Sequence, residues 1–283
     1  MTSASALLLA AVTVGTWNGQ WFPSGRAEHR ASEAEEAATI RAAGEMLRKG
    51  FDRMDPAGTN DIILCLNEIR GPKAARSLCE ATGRTNLNIA VITAYRRRDR
   101  FDMQQDAIAT TLPVASASWS RWKNAKAQTP PRGYASAKII LSPSSTATVY
   151  SVHLKSNYGQ TTEHIARLNR SKRALAAMQL AEMERPKRGK PRQPVIIAGD
   201  FNTDKWSEKF KADTVFSTLE GAGFANVLEI LPPALRATHP GKGKWSDSAL
   251  DYIMLRDIEP SGLPAIIPAA GISDHDAVMV VID

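Results

Sequence analysis

Asp200 and Asn202 stand two positions apart, just where the apolar run Val195-Ile196-Ile197-Ala198 is broken by Gly199. If the extended backbone continues past the glycine, a carboxylate and an amide project to one side, because strand side chains alternate with a period of two. A strand closed by an Asx-type turn reads equally well from this stretch alone. The pattern recurs, however. Other apolar runs end at Asn18, at Asn67-Glu68 and at His153, Asp251 sits in the run ALDYIML, and Asp274 and His275 stand just before AVMVVI. Two histidines, several carboxylates and two amides suit metal-assisted hydrolysis of a phosphate ester. A hard cation such as Mg²⁺ prefers oxygen ligands and keeps several waters, so one or two carboxylates suffice to hold it. Histidine and carboxylate side chains supply acid and base groups that titrate near neutrality.

These residues need rigid elements to bring them together. Continuous apolar runs at 11–17, 61–69, 135–141, 146–154, 195–200 and 249–255 read as strands, several of them buried on both faces, and 88–95 and 277–282 read likewise. Gly199 lets the backbone turn tightly or pass close to a ligand. Helical patterns cover 28–49, with Gly50 as a stop, 73–81, 162–184 and 213–221. The long third helix places Ile165, Leu168, Leu175 and Met178 on one stripe. Loops fall at 21–26, 186–194 and 238–248, the last containing His239 between Gly- and Ser-rich neighbours. Strands and helices intermix, with a hairpin-like pair at 135–154. That favours layered, mostly antiparallel sheets over a strictly alternating parallel arrangement.

With 283 residues, 43% hydrophobic and 23% charged, the chain can bury a substantial core. No linker, low-complexity block or fixed-period repeat divides it, which favours one domain. The formal net charge of +7 favours polyanionic partners. The group Arg96, Arg97, Arg98 and Arg100 reads either as a solvated loop or as a contact for phosphates. The segment Trp119-Ser120-Arg121-Trp122-Lys123 interleaves aromatic and basic residues as single-strand surfaces do, or else covers a core edge. A lone histidine such as His153 is, by itself, better read as a satisfied core residue and stays unassigned. Cys65 and Cys79 match no metal-ligand spacing, and Cys65, inside an apolar run, reads as a small buried hydrophobe. Residues 6–14 are apolar but follow no Lys or Arg, so a first strand is favoured over a secretory signal, and cytoplasmic residence over export. No apolar run approaches the ~20 residues of a spanning helix, which argues against a membrane-embedded chain.

Six blocks together carry a likeness: Thr16-Trp17-Asn18, Asn67-Glu68, VHLKS at 152–156, GDFN at 199–202, LDYI at 250–253 and Ser273-Asp274-His275. In this order and over nearly the whole chain, the sequence resembles the endonuclease/exonuclease/phosphatase superfamily, which includes DNase I-like nucleases and AP endonucleases. The resemblance implies an α/β (α+β) fold, a four-layered αββα sandwich of DNase I type. It implies one catalytic domain over 1–283, with a core about 12–282. It implies that Glu68, Asn18 and Asp274 bind Mg²⁺ (or Mn²⁺) and that Asp200 positions or deprotonates the attacking water. Asn202 would orient the phosphate or Asp200. His275, polarised by Asp251, would act as base or hold the phosphate, and His153 would stabilise the phosphate or protonate the leaving oxygen. Arg132, Lys155 and Asn157 are further candidates for binding phosphate. One position departs from the family pattern, which has glutamine before the metal-binding glutamate where this chain has Asn67. Retuned rather than lost activity is the expectation.

The leading expectation is therefore a metal-dependent nuclease acting on DNA or RNA, working as a monomer. The alternative within enzymes is a phosphatase or phosphodiesterase acting on lipid headgroups, inositol phosphates or nucleotides. A catalytically silent binding protein on the same fold is the alternative of another class. Its mark would be lost catalytic positions, and here all but that of Asn67 are filled.

Overall fold

Apolar runs with no helical period become strands wherever two packed layers can cover both of their faces. The computed structural model describes residues 11–25, 31–97, 100–125, 128–159, 161–185, 189, 192–241, 243, 246–269 and 271–283. In chain order these form β1 (Val12–Phe22), α1 (Glu33–Met54), β2 (Asp61–Ile69), α2 (Pro72–Ala81), β3 (Asn88–Ile92), the short pair β4 (Arg96–Arg97) and β5 (Arg100–Phe101), β6 (Gln105–Thr110) and β7 (Val114–Arg121). They continue with β8 (Gly133–Ser142), β9 (Ser145–His153), α3 (Glu163–Met183), β10 (Val195–Asp200), α4 (Val215–Gly221), β11 (Ala225–Asn226), β12 (Asp251–Arg256), β13 (Ala265–Ile267) and β14 (Ala277–Ile282). Several expectations touch residues outside the described ones: the apolar residues 6–10, the helix start at 28–30, Arg98, and parts of the loops 21–26, 186–194 and 238–248.

Among the described residues the strands make two six-stranded mixed sheets, β13-β14-β1-β2-β6-β3 and β11-β12-β10-β9-β8-β7. In each, the parallel pair lies inside: β1 with β2, and β10 with β9. The alternation of β2 shows how the layers form. Ile62, Leu64 and Leu66 join Leu47 and Phe51 of α1 and Leu78 of α2 in one core. Ile63 and Cys65 point the other way and join Val149, Ile196 and Ala198 of the second sheet. On the far side of that sheet, Ala176, Ala177 and Leu180 of α3 and Phe216 and Leu219 of α4 complete the core. The result is the expected α/β sandwich. Cys65 and Cys79 are both free and buried, as expected of small hydrophobes.

Two helices differ from the sequence pattern. Gly50 does not stop α1, which runs on to Met54. A Cβ at Gly50 would come 2.7 Å from the Met279 thioether, so the glycine serves close packing of helix on sheet. The buried face of α3 is Asn169, Arg173, Ala176, Ala177 and Leu180, not the stripe through Met178, which is 58% exposed. Alanines let that helix sit close to the sheet, and Arg173 has a buried partner, so size and pairing outweigh hydrophobicity there. Trp122 is buried against Tyr134, whereas Trp119 stands on the exposed edge strand β7 against Tyr95. The interleaved segment thus divides into one core residue and one surface residue.

Candidate active site

Strand register alone lines up three of the polar residues. Asp200 at the end of β10 pairs with His153 at the end of β9 on one side and with Asp251 at the start of β12 on the other. In the facing sheet Asn18 of β1 pairs with Asn67 of β2. Beyond Asn18 the pairing slips, and Gln20 and Trp21 take positive φ values of 49° and 54°. This bulge turns the Trp21 N–H onto Glu68 Oε2 at 3.2 Å. Glu68 and Asn202 are themselves left-handed, at φ 56° and 53°, a strained state that the surrounding hydrogen bonds must maintain. Gly199 has φ 148°, and a Cβ there would lie 1.9 Å from the Val152 carbonyl oxygen. Its close approach is thus to the neighbouring strand.

The two sheets are joined through these groups. Asn18 Nδ2 donates to Asp200 Oδ2 at 2.9 Å and reaches Glu68 Oε1 at 3.5 Å. Asn202 donates to both oxygens of Asp200, its N–H to Oδ1 and its Nδ2 to Oδ2, each at 2.8 Å. His153 Nε2 lies 3.5 Å from Asp200 and 3.7 Å from Glu68, and its buried Nδ1 has no hydrogen-bond partner. His275 Nδ1 is 2.7 Å from Asp251 Oδ2, while Nε2 faces Asp200 at 4.0 Å and Asp274 at 3.9 Å.

Burial and like charges set the protonation states. Burial raises Asp200 to about 7; Asp251 and Glu68 add to this and His275 opposes it. Burial likewise raises Glu68, against hydrogen bonds from Gln104 and Asn18 and the charge of Arg132. Burial and then Arg132 push His153 well below its ordinary value, so its ring is neutral. Burial would lower His275 as well, but Asp251, Asp200 and Asp274 outweigh it and hold the imidazolium up to about 10. One pocket therefore holds a proton-accepting carboxylate, a neutral imidazole and a charged one, the separated pair of states that hydrolysis needs.

The sequence matches the Endonuclease/Exonuclease/phosphatase family over residues 15–275. The chain belongs to this family. A search of curated proteins by sequence returned no match. Among solved structures, an endonuclease/exonuclease/phosphatase family protein from Leptotrichia buccalis is similar at TM-score 0.63 and 14% identity, over 96% of this chain and 99% of that one. Sphingomyelinase C from Streptomyces griseocarneus is similar at 0.61 and 15%, again over 96% and 99%. D. rerio TDP2, determined with a single-strand DNA product, is similar at 0.58 and 14%, also over 96% and 99%. At these identities the likeness concerns the fold; membership of a family of phosphoesterase hydrolases rests on the sequence match.

Seen as the site of an endonuclease/exonuclease/phosphatase family protein, the cluster fits a divalent ion. Burial raises both Glu68 and Asp200, so a cation bound beside them would offset the cost of their charge. Glu68 offers carboxylate oxygens of the kind a hard ion takes, whereas Asn18 turns Nδ2 toward Glu68 and Asp200 and its Oδ1 accepts the Gln20 N–H at 3.0 Å. Asp274 is tied elsewhere: its Oδ2 accepts from Gln20 Nε2 at 2.8 Å and lies 3.9 Å from His239 Nε2.

Residues outside the expected catalytic and metal-binding set hold this arrangement. Asn67, noted only as a departure, accepts the Asp200 N–H at 3.0 Å and donates to Asp106 at 2.9 Å and Ser151 at 3.3 Å. Thr238 donates to Asp251 Oδ2 at 2.8 Å and accepts two backbone N–H groups. Buried Arg173 pairs with Asp213 and donates to Asn157 Oδ1, whose Nδ2 in turn donates to the Asn202 carbonyl. Arg132, at φ 64°, donates to the carbonyls of His153 and Leu154 and to Gln104. Lys155 donates to Ser156, and burial together with Arg132, Lys172 and Arg173 lowers it to about 8. Arg132, Lys155 and Asn157 were expected as phosphate binders; of Asn67, Thr238, Arg173 and Asp213, only Asn67 carried a signal in the sequence. The others act across many intervening positions, which no local pattern reports.

Proposed function

We propose that the chain is a Mg²⁺-assisted phosphodiesterase (Mn²⁺ serving as well) and that its substrate is nucleic acid. The observation that carries this is the His153–Asp200–Asp251 row facing Glu68 and Asn18, with His275 locked by Asp251. Glu68 would hold the ion, with Asn18 beside it, and the ion would supply charge neutralisation at the phosphate oxygens. Asp200, aligned by Asn18 and Asn202, takes the proton of a water attacking phosphorus. The P–O bond opposite the water breaks, and solvent protonates the departing oxygen. His275 donates Nε2–H to a non-bridging oxygen, and neutral His153 donates to another, so both offer fixed dipoles where charge develops. Asn157, Arg132 and Asn67 position these groups, while Lys155 adds positive charge at the rim.

Nucleic acid is favoured by the net charge of +7 and by exposed Trp119, whose neighbour Tyr95 lies 5.7 Å beneath the Arg121 guanidinium. An aromatic face beside a cation suits an unpaired base. The test offers single-stranded DNA, plasmid, RNA, sphingomyelin and inositol phosphates with Mg²⁺ or Mn²⁺, and with EDTA as control. EDTA-sensitive cleavage of the nucleic acids supports the reading. Turnover of lipid or sugar phosphates alone would replace it with the phosphatase alternative, and no turnover with any of them would favour a binding protein.

A further inference from the structure

Beside the oxygen-rich pocket lies a second grouping with different chemistry. His239 Nε2 and Asp274 Oδ2 are 3.9 Å apart, Asp274 Oδ1 and His275 Nε2 are 3.9 Å apart, and ligand atoms of the three residues all fall within 4.8 Å of one another. The rings of His239 and His275 meet edge to face at 4.9 Å. His275 is available to this grouping only through Nε2, because Nδ1 is bound to Asp251. A carboxylate behind the ligating imidazole is the usual device for fixing a metal-binding histidine.

The grouping is also held in shape. Gln20 Nε2 donates to Asp274 Oδ2. His239 is bridged to Ser248 by two backbone bonds of 2.9 and 3.0 Å. The Asp276 N–H donates to the Thr238 carbonyl at 2.7 Å, joining the loop of His239 to that of Asp274. The His239 and Asp274 side chains remain 31% and 27% exposed, so an arriving ion keeps a solvent-facing side for water.

The geometry points to a binding site for a borderline transition ion such as Zn²⁺, made by His239, Asp274 and His275 and separate from the oxygen site of Glu68. Two imidazole nitrogens with one carboxylate select such an ion over Mg²⁺, and three protein ligands leave a fourth position open. Occupation removes His275 Nε2 from the phosphate and releases its proton to solvent. Zn²⁺ therefore inhibits hydrolysis while Mg²⁺ supports it. This last step rests on the phosphoesterase reading; the binding step does not.

The experiment titrates Zn²⁺ into metal-free full-length protein under saturating Mg²⁺, with a chromophoric chelator competing. Wild type should take up one Zn²⁺ per chain. His239→Ala and the size-conserving His239→Gln should each bind at least ~10-fold more weakly, since losing a ligand costs no less than losing an outer-shell partner, with circular dichroism and thermal unfolding matching wild type. Equal affinity in wild type and either folded variant, or no uptake by wild type, overturns the site. If a substrate is turned over, Zn²⁺ should inhibit wild type and spare His239→Ala by a similar factor. Zn²⁺ binding that follows His239 in a protein with no turnover would discard the phosphoesterase reading and keep the site.

Discussion

At Asp200, four hydrogen-bonding or charged neighbours fix one carboxylate, and removing its acceptor oxygen tests what that arrangement does. Asp200→Asn should lower kcat at least ~10²–10³-fold, the range for losing one preorganised group, with the circular dichroism spectrum unchanged. Activity within a few-fold of wild type would remove Asp200 from the chemistry. Asp106 makes a separate prediction. It is fully buried against Asn67 and Tyr95, and burial lifts it to about 7 from an ordinary value near ~3.9. A carboxyl whose folded value is raised holds its proton more tightly in the native state. Its contribution to stability is therefore present below about pH 4 and falls away as pH rises to about 7. Asp106→Asn stays neutral throughout, so urea unfolding in EDTA should show the variant gaining on wild type from about pH 4 to about pH 7, by an amount on the order of a few kcal/mol, and no further above that. A pH-independent difference would show that Asp106 is not a protonated acid. Asp200, His153 and Asp251 were legible in the sequence because each ends or begins an apolar run. Asp106 was not, since QDAIAT carries too little hydrocarbon to announce a strand.

Elements carry the second level of control, and Gly199 shows it most sharply. With φ at 148° and a Cβ path blocked by the Val152 carbonyl, Gly199→Ala must push β10 away from β9. It should cost more than ~3 kcal/mol and shift Asp200 from its row; a urea midpoint near that of wild type would refute the clash. The link from α3 is subtler. Asp213→Ala leaves Arg173 buried without its 2.6 Å partner, a loss of roughly 3–5 kcal/mol. It also loosens Asn157 and Asn202, so kcat should fall even at temperatures where the variant is fully folded. Stability loss with kcat intact would confine the pair to structure. Strands covered on both faces, such as β2 and β10, were read to within a residue or so of their ends because burial dictates their composition. The edge strand β7 was missed because it is exposed along its whole length and built of Ser and Ala. The face of α3 was misassigned because alanine and a paired arginine, rather than large apolar residues, meet the sheet.

Across the whole molecule, an excess of seven positive charges should show itself in the salt dependence. KM for single-stranded DNA should rise steeply with added salt as counterion release is lost, whereas KM for a small neutral-tailed phosphodiester should change little. Trp119→Ala should raise the first by roughly 5- to 100-fold, the equivalent of losing one stacked base, and leave the second alone. Parallel shifts for both substrates would remove the surface from substrate recognition. The sandwich itself was legible because its motifs fall at the ends of strands in a fixed order, while the inter-sheet bonds through Asn67 and Asn18 were not. The strand order of the first sheet carries a further consequence. β1 lies between β2 and β14, and β14 brings His275 just ahead of it, after every strand of the second sheet has been made. One flank of β1 therefore stays unpaired until β14, the last of the described strands, has been made. The pocket around Asp200 is therefore complete only once β14 has docked beside β1 and set His275 against Asp251.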